Sequence, residues 1–227
     1  MQVTTSNFAM PSMTKCVVNI KSGTMKKIMF SDIFGLNEAV LSGRKTMTRR
    51  VIKGDYIKIV HLEHEGSFIG ITADGESVIL PQPAYNVGEE VAIAQPYKNI
   101  YEGLEEKEGN SKANEWWCNL YERIGDPTKH AGYKNKMFVR ADLMPHSISI
   151  TATKLERLQD ISDEDCLREG IVKTACVAPY GFPVGNGKWK NYRTPQDAFS
   201  ALIDKVSCRG TWERNPWAYA YDFELVK

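Results

Sequence analysis

The sequence predicts an α+β domain: a small mixed β-sheet closed on itself, with short helices at its flanks. Three observations predict it. Short β-branched and aromatic runs recur along the chain, separated by Gly-Asp or Gly-Ser breakers. Two helix starts are marked by capping sequences, at Ser162 and Thr194. There is no repeating βαβ rhythm and no fixed-period repeat, which removes solenoids and propellers.

Residues 1–24, rich in Thr, Ser, Met and Lys, read as a weakly ordered leader, with Met25 as the natural start of a single folded unit, 25–227. From Ser31 the pattern suits a short helix using Phe34, Val40 and Leu41, ended by Gly43. Strands are expected at 56–62, 68–72 and 77–80, with Asp74-Gly75 as a hairpin turn, and again at 87–94. Residues 97–135 change character, turning acidic and then polar, and read as a partly helical insertion carrying Trp116 and Trp117. Strands resume at 137–140 and 147–158, where Ile148, Ile150 and Ala152 fall on one face.

The capping box Ser162-Asp163-Glu164-Asp165 opens a helix that Gly170 stops. Thr194-Pro195 opens a second, whose Phe199, Leu202, Ile203 and Val206 share one face. The chain ends in strict alternation, Trp217, Tyr219, Tyr221, Phe223 and Leu225 against Ala218, Ala220, Asp222 and Glu224, the pattern of a half-buried strand.

Composition narrows the function. The 227 residues carry 29 basic and 28 acidic side chains, a net charge of +1, which excludes a chain that coats polyanions indiscriminately. Hydrophobic residues at 42% and charged residues at 25% exclude a disordered chain. No apolar run approaches the roughly 18 residues a bilayer span needs, so no membrane association is expected. Five scattered cysteines (Cys16, Cys118, Cys166, Cys176, Cys208) without a CxxC pair suit a reducing, cytoplasmic setting. His61 and His64 lack a third ligand at metal spacing, and no dinucleotide, P-loop, GxSxG or HExxH motif occurs, so neither metal nor cofactor is expected.

Charge is nevertheless segregated. Residues 43–53 hold five cations (Arg44, Lys45, Arg49, Arg50, Lys53) and no acid. Such crowding costs free energy unless a ligand anion or acidic side chains offset it. One reading is a basic turn making surface ion pairs. The other is chemical: neighbouring cations lower the Lys45 pKa, and a neutral amine beside the Thr48 hydroxyl is a general base beside a nucleophile.

A second basic stretch, 173–193, carries Lys173, Lys188, Lys190 and Arg193 among Tyr180, Phe182, Trp189 and Tyr192, with Gly181, Gly185 and Gly187. It reads either as a mobile loop that stacks unpaired bases and contacts phosphates, or as a glycine-rich loop whose aromatics pack beneath the sheet. Compensating acids gather at 102–126 and 154–169.

Residues 41–50, around Gly43-Arg44-Lys45-Thr46-Met47-Thr48-Arg49-Arg50, resemble the G-x-K-x-x-x-R signature of the ASCH family of PUA-like β-barrels, in the version found in bacteriophage and prophage proteins. Residues 158–171 are similar to that family's "LQDIS" to "EGI" helix, and Asn215-Pro216-Trp217 to its closing strand. The resemblance spans residues 26–226, without the acidic middle. It implies a PUA-like barrel whose cleft, between the cationic loop and the "EGI" helix, takes RNA, single-stranded nucleic acid or a modified nucleoside.

One branch of the family consists of amidohydrolases acting on N4-acetylcytidine. Carried over by motif, its Lys, Thr and Glu fall on Lys45, Thr48 and Glu169. Lys45 would deprotonate Thr48, Thr48 would attack the acyl carbon, and Glu169 would assist the leaving amine. Arg44, Arg49 and Arg50 would meet an oxyanion or phosphate, and Lys188, Trp189, Lys190 and Tyr192 would bind nucleic acid. The alternatives are a non-catalytic RNA- or DNA-binding module, with Lys45 and Glu169 as an ion pair fastening loop to helix, and a metal-independent ribonuclease.

Overall fold

The computed structural model describes residues 25–62 and 67–226; the leader expected over 1–24 lies outside them. The chain opens with β1 (Lys27–Ile28) and α1 (Leu36–Leu41). Gly43 ends α1 because its φ of +73° suits glycine, and its N–H donates to the Val40 carbonyl. Next come β2 (Met47–Val51), β3 (Tyr56–Leu62), β4 (Ser67–Thr72), β5 (Ser77–Ile79) and β6 (Glu90–Ile93). The 97–135 region is helical: α2 (Tyr97–Glu108) and α3 (Asn110–Ile124) form a hairpin, and short 3-10 turns lead on to β7 (Ser147–Arg157). The order closes with α4 (Asp163–Arg168), β8 (Val172–Lys173), β9 (Tyr180–Pro183), β10 (Trp189–Tyr192), α5 (Pro195–Val206), α6 (Thr211–Arg214) and β11 (Trp217–Val226).

The architecture is mixed α+β, as expected, but the sheet does not close. Among the described residues a five-stranded sheet runs β1-β6-β7-β11-β2, with β1 parallel to β6 and the other pairs antiparallel. β3-β4-β5 and β8-β9-β10 form separate antiparallel sheets. The main sheet is left with β1 and β2 as its edges, and Lys45, Thr48, Arg49, Arg50 and Glu169 gather at the β2 edge.

Three other expectations are corrected. Residues 137–140 are not a strand; Lys136–Phe138 is a 3-10 turn whose N-cap, Asn135, accepts from the Met137 N–H. Ala152 does not share a face with Ile148 and Ile150. The β7–β11 register shifts between Asp222 and Phe223, so that Ala152 opposes Asp222 while Ile150 opposes Phe223.

β11 is not half-buried either. It lies between β2 and β7, and Ala218, Tyr219, Ala220 and Tyr221 are all buried. Its aromatic face packs on Phe30, Phe68 and Tyr85. Its alanine face leaves room for long charged side chains from β2 and β7, which cover it instead of water.

Both helix caps form as read: Ser162 accepts from the Asp165 N–H and Thr194 from the Asp197 N–H. A second, smaller core of Tyr97, Ile100, Leu120, Val139 and Leu143 holds the α2–α3 hairpin, with the Tyr97 hydroxyl accepting from the Arg140 N–H. No helix among the described residues is long and apolar enough to cross a membrane.

Candidate functional site

The cationic loop leads into β2, whose strand period places Met47 and Arg49 over the alanine face of β11 and Thr48 and Arg50 over its aromatic face. Opposite stands α4. Its capping box fixes the first turn, and Gly170, at φ +110°, ends it, which leaves Glu169 at the C-cap facing β2. Thr46 N–H donates to the Arg168 carbonyl, tying β2 to the helix end.

Lys45 and Glu169 therefore meet. Lys45 Nζ lies 2.6 Å from Glu169 Oε2 and donates also to the carbonyls of Glu169 (2.7 Å) and Met47 (2.6 Å). The Lys45 side chain is 1% exposed. These contacts occupy the three hydrogens of an ammonium, and none points to Thr48. Burial lowers the Lys45 pKa below its ordinary value, with Glu169 working in the opposite direction.

Arg49 is wholly buried and bound to three carboxylates. It reaches Glu156 (2.6 Å), Asp165 (3.0 Å) and Glu169 (3.2 Å). Burial works against its charge, but Glu169 and Glu156 outweigh it and raise the pKa. Lys154 joins Glu156 and Asp165, and Arg168 joins Asp165 and Asp222. Four cations thus face four anions, and the two from the acid-free run, Lys45 and Arg49, take their carboxylates from β7 and from α4 with its C-cap.

Lys154, Glu156, Asp165, Arg168 and Asp222 were not singled out from the sequence. The two-residue spacing of Lys154 and Glu156 puts them on one strand face, but only the sheet register brings Arg49 beside them. Cys166, directly behind the cluster, is an unreactive core side chain whose thiol burial pushes up to about 12.

Lys45, Thr48, Arg49, Arg50 and Glu169 line one cavity of about 50 Å³, walled on its apolar side by Met29, Phe30 and α5 residues including Leu202 and Val206. Arg50 lies over the Phe30 ring and donates to the Met29 carbonyl (3.1 Å); its buried Nε has no partner among the described residues. Arg44 stays at the surface, bonded to the Gly170 carbonyl (3.1 Å). Among the described residues no cluster suited to a metal occurs.

The 173–193 stretch is not a loose loop: β9 and β10 pair around a turn in which Gly185, Asn186 and Gly187 all have positive φ. Phe182 is fully buried and stacks on Tyr192 (6.1 Å, 11°), so these two aromatics serve the core. Trp189 is 48% exposed, and Lys188 and Lys190 are exposed around it. Strand alternation sends Trp189 and Lys190 to opposite faces. Phe34, just before α1, packs edge-on against Phe182 of the hairpin, and no hairpin residue lines the Lys45 cavity among the described residues.

No family model, curated protein or solved structure matches the chain.

Proposed function

We propose that the chain is an ASCH-type protein of the PUA-like class that binds a nucleoside or the base of a nucleic acid at the Lys45 cavity and removes an acyl group from it. The observation that carries this reading is the 2.6 Å contact between Lys45 and Glu169, which joins the two motifs of the resemblance beside Thr48. The substrate class is an N4-acylated cytidine, and a cytoplasmic setting fits the free Cys118, Cys166, Cys176 and Cys208.

In this reading Lys45 sheds its proton, favoured by burial, and turns from the Met47 carbonyl to the Thr48 hydroxyl. Thr48 Oγ1 attacks the acyl carbon while Lys45 takes its proton. The C–N bond breaks, and the proton reaches the departing amine through Glu169. Water then hydrolyses the acyl-threonine, releasing the acid. Arg49 is held by its carboxylates, so Arg50 Nε is the donor left for the oxyanion. A cavity of about 50 Å³ is smaller than a base, so entry displaces the half-exposed Met29 and Val206.

Release of cytidine from N4-acetylcytidine by the purified protein tests the proposal. Thr48→Val should abolish turnover and Thr48→Ser should retain part of it, with both variants folded by circular dichroism. Undiminished turnover in Thr48→Val removes the mechanism. A non-catalytic RNA- or DNA-binding reading is favoured by one observation, the exposed Trp189 between Lys188 and Lys190. It predicts salt-sensitive oligonucleotide binding that Trp189→Ala weakens about tenfold, in line with the usual worth of one base–aromatic stack.

A further inference from the structure

The α2–α3 hairpin and the segment after it enclose a groove of about 400 Å³ that shares no lining residue with the Lys45 cavity. One face of α3 forms a wall: Lys112, Glu115, Trp116, Asn119, Leu120 and Arg123 recur at helical spacing. The opposite side is Leu104 of α2 with Asp142, Leu143, Met144 and Pro145. The floor between Trp116, Leu120, Leu143 and Met144 is apolar, and the size suits a bound ligand rather than a packing gap.

The two ends differ in charge. At one, Glu108 pairs with Lys112, and Glu115 adds a further negative charge beside it. At the other, Arg123 (2.9 Å) and Arg140 (2.7 Å) share the single carboxylate of Asp142, an excess of one cation. Arg123 gives one N–H to Asp142 among the described residues, and a guanidinium carries five. Glu115 and Arg123 stand eight residues apart on α3, about 12 Å along its axis at 1.5 Å per residue. An extended chain of three to four residues spans that distance at roughly 3.3–3.6 Å per residue.

The geometry points to this groove as the binding site for an extended apolar peptide segment of a partner protein, flanked by an acidic residue that meets Arg123 and a basic residue that meets Glu115. The apolar side chains lie on Trp116 and Leu143, and the Asn119 amide, midway along the wall, offers a donor and an acceptor to the peptide backbone. Bipolar ends select against uniformly charged segments, because each leaves one like-charge contact in the groove.

The test uses three labelled peptides with the full chain: acetyl-Lys-Leu-Phe-Leu-Glu-amide and its counterparts with Lys at both ends or Glu at both ends. Fluorescence anisotropy should give the mixed peptide at least tenfold tighter binding than either of the others. Arg123→Glu should transfer the preference to the Lys/Lys peptide, and Glu115→Lys to the Glu/Glu peptide. Both side chains are at the surface, and unchanged unfolding midpoints confirm that the variants fold. Absence of saturable binding up to millimolar peptide overturns the inference. So does equal affinity for all three peptides, or a preference that neither substitution moves.

Discussion

The Arg49 side chain is fully buried, and its charge is matched by carboxylates from β7 and from α4 with its C-cap. Removing only this cation leaves four carboxylates against three cations in a buried site, a situation worth about 3–5 kcal/mol of lost stability. Arg49→Met should reduce the urea-unfolding free energy by that order, and Arg49→Lys should not restore it, because an ammonium cannot fork among three carboxylates. Asp165 adds a pH dependence. Burial opposes its ionisation, yet hydrogen bonds from Lys154 and Arg49 outweigh this and hold its pKa below the ordinary value.

Below about pH 4 the unfolded chain therefore binds a proton at this position before the folded one does. The stabilisation is present above the unfolded pKa and is lost as pH falls through the folded one. Urea midpoints measured between pH 3 and pH 6 should fall on acidification in the native chain, and less steeply in Asp165→Asn. Parallel curves for the two proteins would exclude Asp165 as the source.

Two glycines separate close packing from simple backbone freedom at the level of the elements. A Cβ on Gly181 in β9 would stand 2.4 Å from the Lys190 carbonyl oxygen, which belongs to the paired strand. Gly181→Ala should part β9 from β10, lowering stability by about 1–3 kcal/mol and removing hydrogen-exchange protection from that hairpin. Gly103 lies inside α2 with open space around it, so Gly103→Ala should stabilise by about 0.5–1 kcal/mol in the same measurement.

Elements marked by local chemistry were readable from the sequence: the caps at Ser162 and Thr194, the Asp74-Gly75 turn, and the α1 end at Gly43. The extra residue in β7 was not, because a bulge is fixed by the partner strand rather than by its own residues. The site was half readable for the same reason. Lys45, Thr48 and Glu169 came from motifs, whereas Glu156, Lys154 and Asp222 join them only through cross-strand register.

Across the whole molecule, the two hydrophobic clusters are distinct: one around the main sheet, one beneath α2 and α3. The hairpin should open on its own, ahead of global unfolding, since few buried residues hold it. Native-state hydrogen exchange should show α3 amides opening at a lower free energy than β7 and β11 amides. Leu120→Ala should widen that gap without moving the β11 values, and a common opening energy throughout would show one cooperative unit. Charge is balanced in place only in part: Lys45 and Arg49 of the loop are matched by buried carboxylates, whereas Lys188 and Lys190 stand exposed at β10.

The position of β11 bears on how the protein is made. Strands β2 and β7 both leave the ribosome before Trp217–Val226, yet β2 has no partner strand in the main sheet, and β7 only β6, until that segment slides between them. Until then Arg49 on β2 and Glu156 on β7 belong to strands that do not touch. β11 is therefore the keystone that brings the β2 and β7 sides of the charged cluster together.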